Sequence, residues 1–338
     1  RQRQMCIRDS HELGHALGLS HPHPDEHEIE SFPGVSHDGD TGHNGLNAQP
    51  YTVMTYNDVD ANEYMPSTES YEGFIENLGA FDIAAIQYLY GPNVNSYADD
   101  TTWYLDEEVS YGWYCLWDNG GVDTITAERA ESRVIIDLRN ATLENEVGGG
   151  GFISRIRREH LGYTIAYNST GECIIENAIG SDRDDTLRGN EVDNILNGRA
   201  GTDIVVLGNN KNDYSFEAID NAVNDGVASF KIKGSKKTGS ILKANEISTD
   251  PDIISADAFA ITSTKDDTGT DSLLNIEVLR FADGDYSTKN LNSDSPDYSY
   301  SWQTSTDGVS WDEISAVSYT HLRAHETSLH LVCRLLLE

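Results

Sequence analysis

Apolar residues recur at helical spacing in two stretches of the first part of the chain, residues 10–17 and 81–89. A spacing of three to four residues places these side chains on one face, which predicts a helix in each stretch. Ser10 is a candidate cap for the first helix, and Gly91 ends the second. Residues 22–50 between them are polar and rich in glycine, aspartate and histidine, which predicts a long loop.

After residue 93 the apolar residues come instead in short runs separated by turn residues. Runs of strand length occupy residues 102–105, 134–138 and 163–166, and β-type sequence continues through residues 211–286. The sequence therefore predicts an α+β chain, in which a part with two helices precedes an all-β region.

Three nine-residue repeats follow one another at residues 180–206. Each has glycine in its first place, aspartate or asparagine in its sixth and an aliphatic residue in its eighth. One repeat cannot bury its own aliphatic side chain, so stacked neighbours must cover it, and calcium can offset the stacked carboxylates. The sixth places are candidate calcium ligands: Asp185, Asn194 and Asp203.

An acidic turn at residues 117–124 reads Trp-Asp-Asn-Gly-Gly-Val-Asp-Thr. Its paired glycines allow a tight turn, and Asp118 and Asp123 offer the hard oxygen ligands that calcium prefers. These two aspartates are therefore further calcium candidates, with an ordinary aspartate–glycine turn as the alternative.

The chain is strongly acidic, since 57 Asp and Glu residues against 23 Lys and Arg give a net charge of −34. Such a charge repels nucleic acids and anionic membranes and attracts cations, so we expect no nucleic-acid partner. A solvated acidic surface is the alternative explanation for much of the excess. We find no run of about 18 apolar residues that could cross a membrane. Cys115 and Cys173 could pair, but they give no disulfide framework.

The two ends of the chain share a feature of their coding DNA. Residues 5–10 and 316–321 can be encoded by one short segment read on its two strands, and this segment resembles an adaptor used to prepare sequencing libraries. We therefore predict that residues 1–9 and 316–338 are translated adaptor, and that the natural protein extends beyond both ends.

The most specific chemical signal begins at His11 and reads His-Glu-Leu-Gly-His-Ala-Leu-Gly-Leu-Ser-His. Residues four apart share one helix face, so His11 and His15 can bind one metal ion while Glu12 reaches its open side. Gly18 can adopt the left-handed conformation that ends a helix, which turns His21 back toward the metal. Three histidines leave a fourth position for water, whose pKa zinc lowers to about 7. A chance match with packed or solvated histidines is the alternative.

This pattern resembles the extended zinc signature of the metzincin metallopeptidases, which continues to a methionine turn. Met54, in the sequence Tyr-Thr-Val-Met-Thr-Tyr, is the candidate for that methionine. Within the metzincins, the proline after His21, the Met-Thr-Tyr at Met54 and the sequence of residues 81–91 resemble the serralysins, a secreted bacterial family. The resemblance implies that Tyr56 is a candidate fifth zinc ligand and that it hydrogen-bonds the tetrahedral intermediate.

The nine-residue repeats resemble those of repeats-in-toxin proteins, which bind Ca²⁺ in a parallel β-roll. Side chains replace most of the glycines of that pattern here, including Arg183 and Arg199, so we expect fewer ions than a full ladder holds. The resemblance implies that residues 10–93 are the C-terminal part of a metzincin catalytic domain, with zinc helix, methionine turn and closing helix. A short parallel β-roll (94–210) and a β-rich cap (211–290), which includes a strand pair at residues 271–284, follow it. Residues 291–315 resemble the opening of an immunoglobulin-like module.

Together these features predict a secreted, extracellular zinc metalloendopeptidase that hydrolyses internal peptide bonds of extracellular proteins. Glu12 would act as general base and then as acid, and Tyr56 would assist the oxyanion. Zn²⁺ and Ca²⁺ are the expected cofactors, proteins or peptides the substrates, and a monomer the expected state. The substrate-binding sheet of a metzincin precedes its zinc helix, so we expect this chain alone to be inactive. The alternative is a calcium-dependent adhesin or surface protein that carries a peptidase-like domain without significant proteolysis.

Overall fold

Among the residues that the computed structural model describes, two α-helices precede three β-sheets. The structure describes residues 2–24, 30–57, 75–107, 112–156, 162–224, 227–232, 238–243, 258–265, 269–288, 300–305, 312–314 and 332–337. Most of the predicted immunoglobulin-like opening, including the Asp-Gly turn at residues 307–308, lies outside the described residues.

Helix α1 covers Gln2–Ala16 and helix α2 covers Ala80–Tyr90. Helix α1 begins well before Ser10, so the prediction that Ser10 caps it is wrong. The residues before Ser10 contain neither glycine nor proline, and nothing in them stops the helix. Helix α2 ends where the sequence predicts, because Gly91 has a positive φ of 86° and its N–H donates to the Gln87 carbonyl at 2.8 Å.

The sheets are built from short strands. The first sheet has the order β1 (Thr102–Tyr104), β3 (Thr124–Thr126), β7 (Asn177–Ile179), β9 (Ile195–Asn197), β15 (Thr270–Leu274), β14 (Ala258–Ser263), β11 (Tyr214–Asn224), β12 (Val227–Ile232), β13 (Thr238–Lys243). The second has the order β17 (Gly284–Ser287), β16 (Val278–Phe281), β10 (Ile204–Val206), β8 (Thr186–Arg188), β4 (Val134–Asp137), β5 (Ser154–Ile156), β6 (Gly162–Ile165), β2 (Trp113–Leu116). The third has the order β19 (Asp312–Ile314), β18 (Tyr300–Ser305), β20 (Val332–Leu337).

The repeats at residues 180–206 coil between the first two sheets. Strands β8 and β10 pair in parallel in the second sheet, while β9 pairs in parallel with β7 in the first. The eighth-place side chains Leu187, Leu196 and Val205 are fully buried and belong to one core. Burying an aliphatic side chain of this size contributes about 1.5–3 kcal/mol, so stacking of the repeats is a main source of stability.

The strand pair predicted at residues 271–284 is not a pair. Strand β15 lies beside β9 in the first sheet, and β16 lies beside β10 in the second. Asn275, whose φ is 51°, lies in the short turn by which the chain passes from one sheet to the other. The two strands therefore add a further turn to the coil, which extends past residue 210, and antiparallel strands β11–β14 lie beside it.

Strand β18 pairs antiparallel with β19 and β20. Strand β20 and the beginning of α1 fall in the residues predicted to be translated adaptor, and that origin stays a prediction. Cys115 and Cys173 are buried free thiols, so they do not pair. Among the described residues, no helix combines the length and apolarity that crossing a membrane requires.

A second, smaller core joins the helical part to the coil. It contains Leu19 just after α1, Val53 and Met54 in the loop before α2, and Trp113 at the start of β2. Ala85 and Ile86 of α2 pack against it. This core fixes the end of α1 against the methionine turn, where the predicted site residues lie.

Candidate metal centre

Helix α1 ends in a glycine-terminated turn that reverses the chain. Gly18 has a φ of 98°, its N–H donates to the His15 carbonyl at 3.0 Å, and the Leu19 N–H donates to the Gly14 carbonyl at 3.0 Å. These two bonds with a left-handed glycine form a Schellman motif. The left-handed turn expected at Gly18 is therefore present, and it carries the chain back toward the helix.

The reversal brings three imidazole rings together. The Nε2 atom of His21 lies 3.1 Å from the Nε2 atoms of both His11 and His15. The described residues contain one cluster of three or more metal-binding side chains within 4.8 Å of one another, and it consists of these three histidines. Nitrogen ligands of a tetrahedral zinc ion lie about 3.3 Å apart when each Zn–N bond is 2.0–2.1 Å, so the spacing fits such an ion.

The tautomers of these rings also fit a cation. His11 Nδ1 lies 2.9 Å from the Val53 carbonyl, and His15 Nδ1 lies 3.0 Å from the Leu19 carbonyl. A carbonyl oxygen only accepts hydrogen bonds, so each Nδ1 carries the proton and each Nε2 presents a lone pair. His21 Nε2 can donate to at most one of these two neighbours. In the neutral form of these rings, two or three Nε2 lone pairs point toward one place, which is the arrangement that binds a metal cation.

Met54 packs against helix α1 next to one of these histidines. Its side chain is 2% exposed, and a Cβ added at Gly14 would lie 2.6 Å from its Sδ atom. Gly14 precedes His15 directly, so a larger residue there would push the methionine away or the helix out. The packing therefore holds Met54 against helix α1 beside His15, and its role as the methionine of a metzincin turn stays a prediction.

The methionine turn is tied to helix α2 by a buried carboxylate. Asp82 is 3% exposed and accepts hydrogen bonds from the Thr52 hydroxyl at 2.6 Å, the Val53 N–H at 2.7 Å and the Gly79 N–H at 2.8 Å. Burial raises the pKa of Asp82 to about 6, although the three donors oppose this shift. The Val53 carbonyl also accepts a hydrogen bond from His11 Nδ1. Asp82 is therefore linked to His11 through Val53 alone.

The two predicted catalytic side chains differ in how they are held. The Tyr56 hydroxyl lies 3.0 Å from His21 Nε2, and its ring is 57% exposed. Glu12 is exposed on α1 next to His11 and lies outside the histidine cluster. This arrangement is compatible with Tyr56 as an additional ligand and with Glu12 as a base, since a base stands beside the metal and not on it.

Acidic side chains of the coil form two columns that run across the strands. In the first column, the Asp123 carboxylate accepts a hydrogen bond from the Thr101 N–H at 2.7 Å, and the Asp123 N–H donates to the Glu176 carboxylate at 2.7 Å. Further along the column, the Asn194 N–H donates to the Asp271 carboxylate at 3.1 Å. Each of these residues lies at the start of a strand of the first sheet.

The second column has the same construction in the second sheet. Asp185 accepts the Val134 N–H at 2.7 Å, Asp203 accepts the Asp185 N–H at 2.8 Å, and Glu277 accepts the Asp203 N–H at 2.8 Å. Acidic groups from turns far apart in sequence are thus stacked on one another, with some buried and others, such as Asp271 and Glu277, half-buried.

The columns concentrate negative charge. Burial raises the pKa of Asp203 and Asp271 to about 8 each, that of Asp185 to about 6, and that of Asp123 above its ordinary value, with nearby carboxylates adding to the rise. One buried carboxylate oxygen has no hydrogen-bond partner in each of Asp118, Asp123 and Asp203. By contrast, the Ser181 N–H and hydroxyl donate to Asp185, and Asn194 bonds to Asn190 and to the Glu176 carbonyl.

Several residues of the centre escape sequence reasoning. Gly14, Val53 and Asp82 act through contacts between α1, the methionine turn and α2, which no local spacing encodes. His23, which the sequence places in a polar loop, is buried beside His21. Asp82 carries one signal, since an aspartate near the start of a helix is a typical partner of its N–H groups.

The end of α1 and the turn at Gly18 thus bring three histidines together, with the methionine turn beside them, in a cluster that could hold a metal ion. No protein-family model matches the chain. Over 197 residues, the chain is 32% identical to a serralysin of Proteus mirabilis. The aligned residues make up 55% of this chain and 35% of that protein.

Two further relatives are also named as metallopeptidases. The metallopeptidase AprA of Pseudomonas marginalis is 29% identical over 198 residues, covering 55% of this chain and 38% of that protein. The metalloprotease AprA of Pseudomonas entomophila is 31% identical over 209 residues, which make up 55% of this chain and 37% of that protein. The chain therefore spans little more than a third of the length of these relatives, and it is similar to serralysin-type metalloproteases over about half of its own length.

Proposed function

We propose that this chain carries the metal centre of a secreted zinc metalloendopeptidase that hydrolyses internal peptide bonds of extracellular proteins. The observation that carries the proposal is the convergence of the Nε2 atoms of His11, His15 and His21, with two of the rings oriented by backbone carbonyls. Resemblance to proteins named serralysin and AprA supports it, and its substrates are then proteins or peptides.

Each side chain of the centre has a role in this reaction. His11, His15 and His21 would hold the zinc ion through Nε2. When bound, the ion would supply a Lewis acid that lowers the pKa of a water molecule to about 7. Glu12, exposed beside His11, takes the proton of the attacking water and returns it to the leaving amine. The Tyr56 hydroxyl, near His21, donates a hydrogen bond to the oxyanion.

The acidic columns support a second part of the proposal, that the coil binds Ca²⁺. Asp118, Asp123 and Asp203 are the strongest candidates, because each keeps a buried oxygen without a hydrogen-bond partner. Asp185 and Asn194 remain candidates, although protein donors and acceptors already engage their side chains. Calcium prefers such oxygen ligands, and its charge would relieve the repulsion within each column.

Calorimetric titration of the chain with Zn²⁺ tests the centre. We expect one tight site that His11→Ala or His21→Ala abolishes. His37→Ala is the matched control, because His37 is an exposed loop histidine outside the cluster. Binding that is absent, or that survives either ligand substitution, would contradict the proposal.

Casein hydrolysis by the full-length gene product tests the reaction. Glu12→Gln should retain zinc and reduce the rate by about 10²–10⁴-fold, the usual contribution of a general base. Chelation of zinc should abolish hydrolysis. Zinc binding without any chelator-sensitive hydrolysis would instead favour the adhesin or surface-protein alternative.

A further inference from the structure

His23 lies in contact with two residues of the metal centre. Its ring is stacked on that of His21, with centroids 4.7 Å apart and planes 10° from parallel. It also meets the ring of Tyr56, with centroids 4.9 Å apart and planes at 47°. His23 is 8% exposed, whereas Tyr56 is 57% exposed. The buried ring is therefore the fixed member of this group, and the exposed phenol rests against it.

The local sequence explains why two imidazoles stack here. His21 precedes Pro22 and His23 precedes Pro24. A residue before proline is disfavoured in the helical region, and proline itself has a fixed φ, so this segment has few conformations open to it. Pro22 is buried, which anchors the segment further. The His-Pro-His-Pro sequence thus presents both rings on one side with little conformational freedom to lose.

We propose that His23 is a positioning residue, whose buried ring holds His21 and Tyr56 in the arrangement that binds the metal. His23 stands outside the cluster of ligand atoms, so it acts through these two side chains and not on the ion. The contact needs an aromatic face, so a phenylalanine should replace His23 and an aliphatic residue should not. This inference rests on the proposed zinc centre, and it adds a residue that the ligand pattern does not contain.

Copper titration of the full chain measures both residues at once. A phenolate bound to Cu²⁺ gives a charge-transfer absorption band in the near ultraviolet and visible region, whereas histidine ligands alone do not give this band. Tyr56→Phe serves as the blank, because it removes the phenolate and leaves the histidines. The affinity reports the ligand set, and the band reports the position of Tyr56.

His23→Leu, which keeps a large apolar side chain but no ring, should weaken copper binding about tenfold and reduce the phenolate band. Each aromatic contact contributes a factor of about two to ten to the binding constant, and the Leu variant loses two such contacts. His23→Phe should stay within about threefold of the wild type and keep the band. His37→Ala is the control for loss of a loop histidine. Circular dichroism of each variant checks that the coil is intact.

Three results would overturn the inference. They are a Leu variant with wild-type affinity and band, a Phe variant as defective as the Leu variant, and equal losses in the His37→Ala control. If the Leu variant does not fold, His23→Met takes its place as the apolar variant without a ring, and its affinity and band are compared with those of the Phe variant in the same way. Failure of the wild-type chain to bind either Zn²⁺ or Cu²⁺ would instead contradict the proposed metal centre itself.

Discussion

Replacing Asp82 should disturb the metal centre although Asp82 touches none of its ligands. Its carboxylate holds the Thr52 hydroxyl and the N–H groups of Val53 and Gly79. Asp82→Ala leaves these three donors in a buried place without their acceptor. Because the Val53 carbonyl orients His11 at 2.9 Å, a loosened Val53 should also loosen that ligand.

The structure sets the size of the effect. A buried donor without an acceptor costs about 1–3 kcal/mol, so the loss of the acceptor for three donors in Asp82→Ala should lower the free energy of unfolding by at least about 3 kcal/mol. Asp82→Asn keeps one acceptor oxygen and a similar shape, so its cost should be about 1–2 kcal/mol near pH 4, where Asp82 is itself protonated. Zinc affinity should fall in the same order, with the alanine variant the weaker binder.

The pH dependence separates the two substitutions further. The pKa of Asp82 is about 6 in the folded protein, above its ordinary value of 3.8. The folded state therefore holds this proton more tightly, and its stability falls as the pH rises from about 4 to about 6. A difference of about two pH units corresponds to about 3 kcal/mol. Asp82→Asn cannot ionise and should lack this part of the slope.

Denaturant unfolding followed by circular dichroism between pH 4 and 7, with Zn²⁺ titration at pH 7, measures these effects. Asp99→Asn is the matched control, because Asp99 is an exposed loop aspartate whose loss should change neither quantity. An alanine variant with wild-type stability and zinc affinity would refute the role of Asp82 as a clamp. Identical pH slopes for the wild type and Asp82→Asn would refute the burial argument.

Three further predictions concern packing, backbone and charge. Gly14→Ala should destabilise the chain despite a gain of up to about 1 kcal/mol in helix propensity, because the new Cβ meets the buried Met54 sulfur. Denaturant unfolding measures this loss of stability, which Met54→Ala in the same chain should reduce. Gly18→Ala should cost about 1–2 kcal/mol and weaken zinc binding, because its φ of 98° strains any residue with a Cβ, although its surroundings leave space. Without calcium, stability should fall from about pH 4 to about pH 8, because the pKa values of Asp203 and Asp271 are raised to about 8. Calcium should restore it at pH 8, and a calcium-independent denaturation midpoint there would contradict this account.

Local spacing was sufficient to predict the elements that carry the metal ligands. A helical interval of four residues, a glycine able to turn left-handed and a third histidine place His11, His15 and His21 around one point, because each relation spans at most ten residues of chain. The same holds for the repeats at residues 180–206, whose eighth-place aliphatic residues are buried as stacking requires. A short-range pattern predicts which side chains come together, because covalent geometry limits the directions that nearby side chains can take.

Longer-range relations were decided only by the folded chain. Asp82 meets Val53 across 29 residues, and Asp203 meets Glu277 across 74. Strands β15 and β16 continue the coil because they find parallel neighbours in different sheets, although their sequence suggests a pair. Such contacts depend on how separate elements pack, and many arrangements share the same local pattern. The sequence by itself therefore determined which three histidines come together as candidate metal ligands, and the tertiary structure determined what holds them in place.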